Sequence, residues 1–267
     1  MIQKKILHFV YLASFLLLLS SCDPYQKLLK SNDFELKYEK AKEYYNTGIY
    51  HKAIPLFEEL MIRHKGTQKA EKLYYFYAYC HYGQDSYVMA AYYFKSFIDY
   101  YPTSKLAEDA QYMIGYCNYK MTPKASLDQT YAEKAIEALQ LFINAYPYSE
   151  KVAKCNELID DVRDRLEEKA HKNAMLYYNL KSYKSSAASY QNILKEFPDT
   201  DRKEEVMFMI TKSYYLLAQK SIASKKKERY DLTVESYLDF IDQFPTSKYV
   251  REAERMYATC LNNLKKY

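Results

Sequence analysis

Apolar residues return along this chain at intervals of three and four until a proline cuts them off, and the pattern recurs. Phe94, Phe97, Ile98 and Tyr101 precede Pro102, with Ser104 after it; Leu139, Phe142, Ile143 and Tyr146 precede Pro147, with Ser149 after it. Tyr190, Ile193, Leu194 and Phe197 lead to Pro198 and Thr200, and Tyr237, Phe240, Ile241 and Phe244 lead to Pro245 and Ser247. Such spacing is one stripe of an amphipathic helix. Proline lacks an amide hydrogen and clashes with the preceding turn, so the helix stops there. The hydroxyl two residues on is placed to cap the next helix. Small residues earlier in each copy (Ala90, Ala135, Ser186 and, most loosely, Thr233) mark a close approach of two helices, and Tyr87, Tyr183 and Tyr230 mark a hairpin corner. A degenerate copy upstream holds Tyr50, Ala53, Ile54, Phe57, Leu60 and Met61, with Lys65 in place of the proline.

Five helical hairpins follow. The first spans about 33–64 and turns at Gly48, the second 67–101, and the third 104–146 with an inserted loop at Met121 to Thr130, broken at Pro123. The stretch 149–180 has no glycine or proline and reads as one long helix or two nearly in line, opening a fourth hairpin that ends at Phe197. The fifth ends at Phe244, and Ser247 starts a terminal helix that covers the end of the stack. The A-x3-F spacing before a terminal proline resembles the tetratricopeptide repeat. The expected fold is all-α: an α-solenoid of five tetratricopeptide-like helical hairpins plus a terminal capping helix, over 33–267. The prolines at 102, 147, 198 and 245 stand further apart than the roughly 34 residues of the standard repeat, so loops and helices carry insertions.

The amino terminus follows other rules. Residues 1–21 combine Lys4 and Lys5, an apolar run short for a membrane span, and small residues, which reads as an export signal. Leu19-Ser20-Ser21-Cys22 resembles a bacterial lipobox, which predicts cleavage before Cys22 and an S-diacylglycerol and N-acyl lipid on it. More than one acyl chain makes anchoring stable. Residues 22–32 are expected as a lipidated tether in which Asp23-Pro24 disfavours helix and Ser31 or Asp33 caps the first helix. Losing the signal removes two lysines and no acid, so the mature chain is weakly basic, with nothing that suggests nucleic acid. The run Lys225-Lys226-Lys227 with Arg229 reads as a solvated loop between two helices, with contact to phospholipid headgroups as the sharper alternative.

Few glycines and prolines and a hydrophobic content of 49% fit a helical chain with a sizeable core; the anomaly is tyrosine, at 33 copies. Cys80, Cys117, Cys155 and Cys260 are expected as buried free thiols; Cys80 and Cys117 hold equivalent positions in neighbouring repeats, which lie beyond disulfide reach. No catalytic constellation emerges. His51, His64, His81 and His171 lack a second ligand at metal spacing, and Gly48, Gly66, Gly83 and Gly115 are too scattered for a phosphate loop. Ser224 and Lys227 lack companion motifs. Asp160, Asp161, Asp164, Glu167 and Glu168 interleave with Arg163 and Arg165 as a salt-bridged face. The chain reads as a non-enzyme with no cofactor beyond its covalent lipid.

One feature points to a surface. Tyrosines recur in the first helices of the first three hairpins as Tyr38 and Tyr45, then Tyr75, Tyr79 and Tyr82, then Tyr112, Tyr116 and Tyr119. Their spacing puts each set on one helix face, apart from the small packing residues Ala41, Ala78 and Gly115. In tetratricopeptide arrays that face resembles the lining of the concave groove. Stacked repeats would align the rings into a ladder suited to an extended peptide; the alternative is that part of the set packs between hairpins.

The lipobox, five hairpins with Y-P-x-S joints and the segment Ala132 to Val152 (AEKAIEALQLFINAYPYSEKV) together resemble the BamD family, the tetratricopeptide lipoproteins of outer-membrane β-barrel assembly, over the mature chain. The resemblance implies a periplasmic scaffold anchored in the outer membrane by its lipid. Its carboxy-terminal repeats would dock on a BamA-like barrel protein, and its amino-terminal repeats would receive unfolded outer-membrane protein segments. Asp23 occupies the place that enterobacterial sorting reads as inner-membrane retention; sorting differs between lineages, and the outer membrane remains the expectation. Two other readings remain: an adaptor lipoprotein of another envelope secretion or division apparatus, which would share fold and anchor, and a glycan-binding lipoprotein, against which the length argues because known helical-repeat glycan binders resemble a much longer chain.

Overall fold

The computed structural model describes residues 24–266. The predicted signal peptide, the lipidation site Cys22 and Asp23 lie outside the described residues. Twelve helices and no strand occur among the described residues: α1 (Pro24–Lys30), α2 (Phe34–Asn46), α3 (Tyr50–Arg63), α4 (Gln68–Gly83), α5 (Tyr87–Tyr100), α6 (Ala107–Met121), α7 (Thr130–Ala145), α8 (Val152–Asn179), α9 (Tyr183–Glu196), α10 (Lys203–Gln219), α11 (Ala223–Gln243) and α12 (Val250–Leu264). Pairs α2/α3, α4/α5, α6/α7, α8/α9 and α10/α11 are the five hairpins and α12 the terminal helix, so the fold is the expected all-α solenoid of tetratricopeptide type. The described residues divide into two compact units, one of residues 24–122 and 130–159, the other of 123–129 and 160–266.

The helical stripes are the core. In the first unit Phe94, Phe97, Leu139 and Phe142 are fully buried, and in the second Tyr190, Ile193 and Phe240 are nearly so. Burying one such side chain contributes roughly 1.5–3 kcal/mol. The small residues meet neighbours where expected: Ala90, Ala135, Ser186 and Thr233 are all buried. Gly115 also sits at a close approach, because a Cβ there would stand 2.7 Å from Leu139 Cδ2 and 3.2 Å from the Leu139 backbone nitrogen. The five core clusters are built from residues between Tyr25 and Leu264, so residues 24–266 carry the whole described fold.

Three corners turn alike. Gly48, Asp85 and Lys181 adopt φ values of 74°, 56° and 60°, and the next amide reaches back over the helix end, Ile49 to Tyr44 at 2.8 Å, Ser86 to His81 at 3.0 Å and Ser182 to Tyr177 at 2.9 Å. This left-handed closure favours glycine; only Gly48 announces it in the sequence.

The hydroxyls after the prolines differ slightly from expectation. Ser104 Oγ accepts from the Leu106 amide at 3.0 Å, Ser149 from Lys151 at 3.2 Å, Thr200 from Arg202 at 3.0 Å and Ser247 from Tyr249 at 3.0 Å. Each closes a turn that leads into the next helix, which begins about three residues later. Asp33 is a true cap, accepting from the Leu36 amide at 2.9 Å.

Two local readings are corrected. Residues 24–30 are helical, because proline is tolerated in a first turn, where no amide bond is lost. That helix docks through Leu28 and through Lys37, whose buried ammonium donates to Leu29 O at 2.9 Å and pairs with Glu59 at 2.6 Å. Lys225, Lys226, Lys227 and Arg229 lie inside α11, not in a loop. Lysine is a good helix former, and Lys225 pairs with Glu228 one turn on at 3.2 Å. Of the acids on α8, Asp161 pairs with Arg165 as expected, whereas Glu168 pairs with Lys172 at 3.0 Å and with Arg202 at 3.1 Å, and Arg163 reaches Asp199 beyond α9 at 3.2 Å.

Gly115→Ala should lower stability by about 1–3 kcal/mol, because the added methyl would overlap Leu139 Cγ and Cδ2 with the Leu139 backbone close behind them. A chemical-denaturation midpoint no lower than that of the parent would contradict this close approach.

Candidate functional site

The eight tyrosines of the predicted ladder all lie in the first unit and all are half-buried. On α6, Tyr112, Tyr116 and Tyr119 form a slipped stack, with centroids 5.6 and 6.0 Å apart and planes within 17° of parallel. Tyr82 of α4 meets Tyr116 at 6.2 Å, and Tyr79 links Tyr82 to Tyr75 at 6.3 and 4.9 Å. Thus the second and third sets join into one aromatic face across α4 and α6. Tyr45 reaches it through Phe76, whose ring lies 4.9 Å from Tyr45 and 6.1 Å from Tyr75. Tyr38 stands between lysines instead, with Lys42 at 5.2 Å and Lys69 at 5.9 Å from its ring centre.

Beneath this face lies a residue that the sequence reading did not single out. Asp109, in the first turn of α6, accepts from Tyr75 Oη at 2.7 Å, from Tyr79 Oη and from Lys151 Nζ. The Lys151 ammonium also sits 4.8 Å from the centre of the Tyr112 ring, at one end of the stack. A single carboxylate therefore ties α4 and α6 to the segment ahead of α8.

The electrostatics follow. Burial raises the pKa of the Asp109 carboxyl, but hydrogen bonds from Lys151, Tyr79 and Tyr75 outweigh it and hold the group below its ordinary value. Burial pushes the Tyr45, Tyr82 and Tyr112 phenols up to about 12. Tyr75 and Tyr79 are raised as well, first by burial and then by their bonds to Asp109. At neutral pH these are protonated phenols, and Tyr75 and Tyr79 already donate to Asp109.

Cys80, Cys117, Cys155 and Cys260 are buried free thiols, Cys80 and Cys117 pushed up to about 12 by burial. Among the described residues no cluster of His, Cys, Asp and Glu could hold a metal ion, and no helix is long and apolar enough to cross a membrane.

Stacked hairpins presenting a continuous aromatic face define a helical-repeat scaffold, a class that works by holding other chains. The family model described as outer membrane lipoprotein (YfiO) matches residues 31–232, well over half of the sequence, and the chain belongs to that family. It is 28% identical over 230 residues to a putative outer membrane protein assembly factor BamD of Aquifex aeolicus, an alignment covering 85% of this chain and 72% of that protein. It is 23% identical over 180 residues to the outer membrane protein assembly factor BamD of Caulobacter vibrioides, covering 67% of this chain and 59% of that one. Among solved structures, the TPR2AB-domain:pHSP90 complex of yeast Sti1 aligns over 85% of this chain and 98% of that one, at 13% identity and a TM-score of 0.41. The resemblance to the BamD family read from the sequence, and the assembly role that it implies, are borne out by the family and these relatives.

Asp109→Ala should cost about 1–3 kcal/mol at neutral pH, because it leaves a lysine and two phenols without their acceptor. The sign with pH follows from the depressed carboxyl: its contribution is full above the unfolded value of about 3.9 and is lost as pH falls through the folded value. Asp109→Asn should therefore show a shallower loss of urea midpoint than the parent between about pH 4 and pH 2. Parallel acid limbs for the two proteins would refute the assignment.

Proposed function

We propose that the aromatic face of α4 and α6 receives extended, aromatic-rich segments of unfolded outer-membrane β-barrel proteins, holding them while the assembly machinery inserts them. The observation that carries this is the continuity of the face: rings of Tyr75, Tyr79, Tyr82, Tyr112, Tyr116 and Tyr119 touch in series across two repeats. An extended strand presents alternate side chains to one side, and a row of half-buried rings offers apolar contact with little rotamer entropy to lose. The family and its named relatives support the same role. In this reading the chain is a non-catalytic scaffold anchored in the outer membrane through lipidated Cys22, with its repeats on the periplasmic side. The carboxy-terminal repeats dock on a BamA-like barrel protein, as the resemblance implies.

Tyr116→Ala together with Tyr119→Ala should weaken binding of a barrel-strand peptide by about tenfold or more, the scale of interface anchor residues. Tyr75→Phe, which keeps the ring and removes the hydroxyl, should leave binding nearly unchanged. Fluorescence titration with helicity followed by circular dichroism reads both; unchanged affinity in the double variant would remove the face from the proposal. Recovery of a BamA-like barrel protein with the full-length chain from solubilised envelopes tests the docking half, and recovery of secretion or division components instead would overturn it.

A further inference from the structure

The second unit segregates its charges. No acid occurs in 169–195, 206–227 or 255–267. These stretches form the α8/α9 corner, the α10/α11 corner and the end of α12. The corners adjoin, since the Lys220 ammonium lies 5.1 Å from the centre of the Tyr183 ring. Ala218, Tyr230, Cys260 and Leu264 pack in one cluster, which brings the end of α12 to the same edge. That edge carries Lys181, Lys184, Lys220, Lys225, Lys226, Lys227, Lys265 and Lys266, of which only Lys225 has an acidic partner among the described residues. At the opposite ends of these helices lie Glu204, Glu205, Asp239, Asp242 and Glu252.

Helix dipoles account for lysines where α8, α10 and α12 end, because cations are favoured there. They do not account for Lys225, Lys226 and Lys227, which stand in the opening turns of α11, the unfavourable end for a cation. Nor does local stability place Lys181 at φ 60°, a conformation better suited to glycine or asparagine. Two large aliphatic side chains also project from the tips of the corners: Leu180 is 67% exposed and Ile222 72%.

We propose that this lysine-rich corner edge is a docking surface for an anionic lipid bilayer, making a membrane contact separate from the acyl anchor predicted at Cys22. Lysine is a compact charge on a flexible stem, suited to a fluid array of phosphate headgroups, whereas oriented recognition of carboxylates on a protein favours the arginine fork. The one arginine of the corner, Arg229, donates to Ser221. Leu180 and Ile222 flank the charges and would enter the boundary between headgroups and acyl chains. Membership in an outer membrane lipoprotein family keeps a bilayer within reach of the edge.

The test is co-sedimentation of residues 24–267, which lack Cys22 and carry the whole described fold, with vesicles of phosphatidylethanolamine and phosphatidylglycerol or of phosphatidylcholine alone. Binding is expected to the anionic vesicles only and should fade as salt is raised from about 0.05 to about 0.5 M. Each lysine near such a surface contributes a factor of about five. The variant Lys181→Gln, Lys184→Gln, Lys226→Gln, Lys227→Gln should therefore lose at least about tenfold. Leu180→Ser with Ile222→Ser should lose severalfold, and Lys95→Gln with Lys134→Gln, in the first unit, should lose nothing. Circular dichroism checks that each variant is folded. Equal binding to neutral vesicles, equal losses in both lysine variants, or no binding to anionic vesicles overturns the proposal, the last leaving the edge to an acidic protein partner.

Discussion

The third, fourth and fifth repeats are each tied to the one before by a hydroxyl with two duties. Ser149 accepts from the amide two residues on, closing the turn after its proline, and donates to Glu108 of the preceding first helix at 2.6 Å. Thr200 does the same with Glu167 at 2.6 Å, and Ser104 with Glu71. One small side chain thus fixes both where a helix begins and how it stands against its predecessor. In the first unit that fixed spacing brings Tyr82 of one repeat against Tyr116 of the next. Without it the tyrosines would be separate surface rings.

Asp109 adds a second tie that is not part of the repeat grammar. It takes the hydroxyls of Tyr75 and Tyr79 and the Lys151 charge, so these polar groups are spent on holding the protein itself together. In the proposed function, a face of this kind would select for apolar and aromatic side chains without demanding a particular hydrogen-bond pattern, as a scaffold needs if its clients share physical character more than sequence.

Features set by local periodicity were legible in the sequence: the helical stripes, the proline stops and the buried small residues all follow from spacing along one helix. The corners were only partly legible. Gly48 signals a left-handed residue, but Asp85 and Lys181 adopt the same conformation because the hairpin closure imposes it. The three lysines of α11 misled for a related reason: a run without apolar periodicity looks like a loop, although lysine itself favours helix. Of the candidate site, the tyrosines were visible as a pattern, whereas their union through Asp109 was not, since it depends on how three segments distant in sequence stack. Tyr38 shows the limit of pattern alone: it shares the spacing and stands apart among lysines.

The substantial packing of α2 to α7 and of α9 to α12 is between helices adjacent in sequence, with α10 and α12 also touching across α11. Closing a loop costs entropy that grows with its length, and here closure occurs in short instalments, each repaid before the next begins. A chain with this wiring can acquire structure in the order in which it emerges, one hairpin templating the next, and needs no distant segment to arrive before its early portion becomes compact.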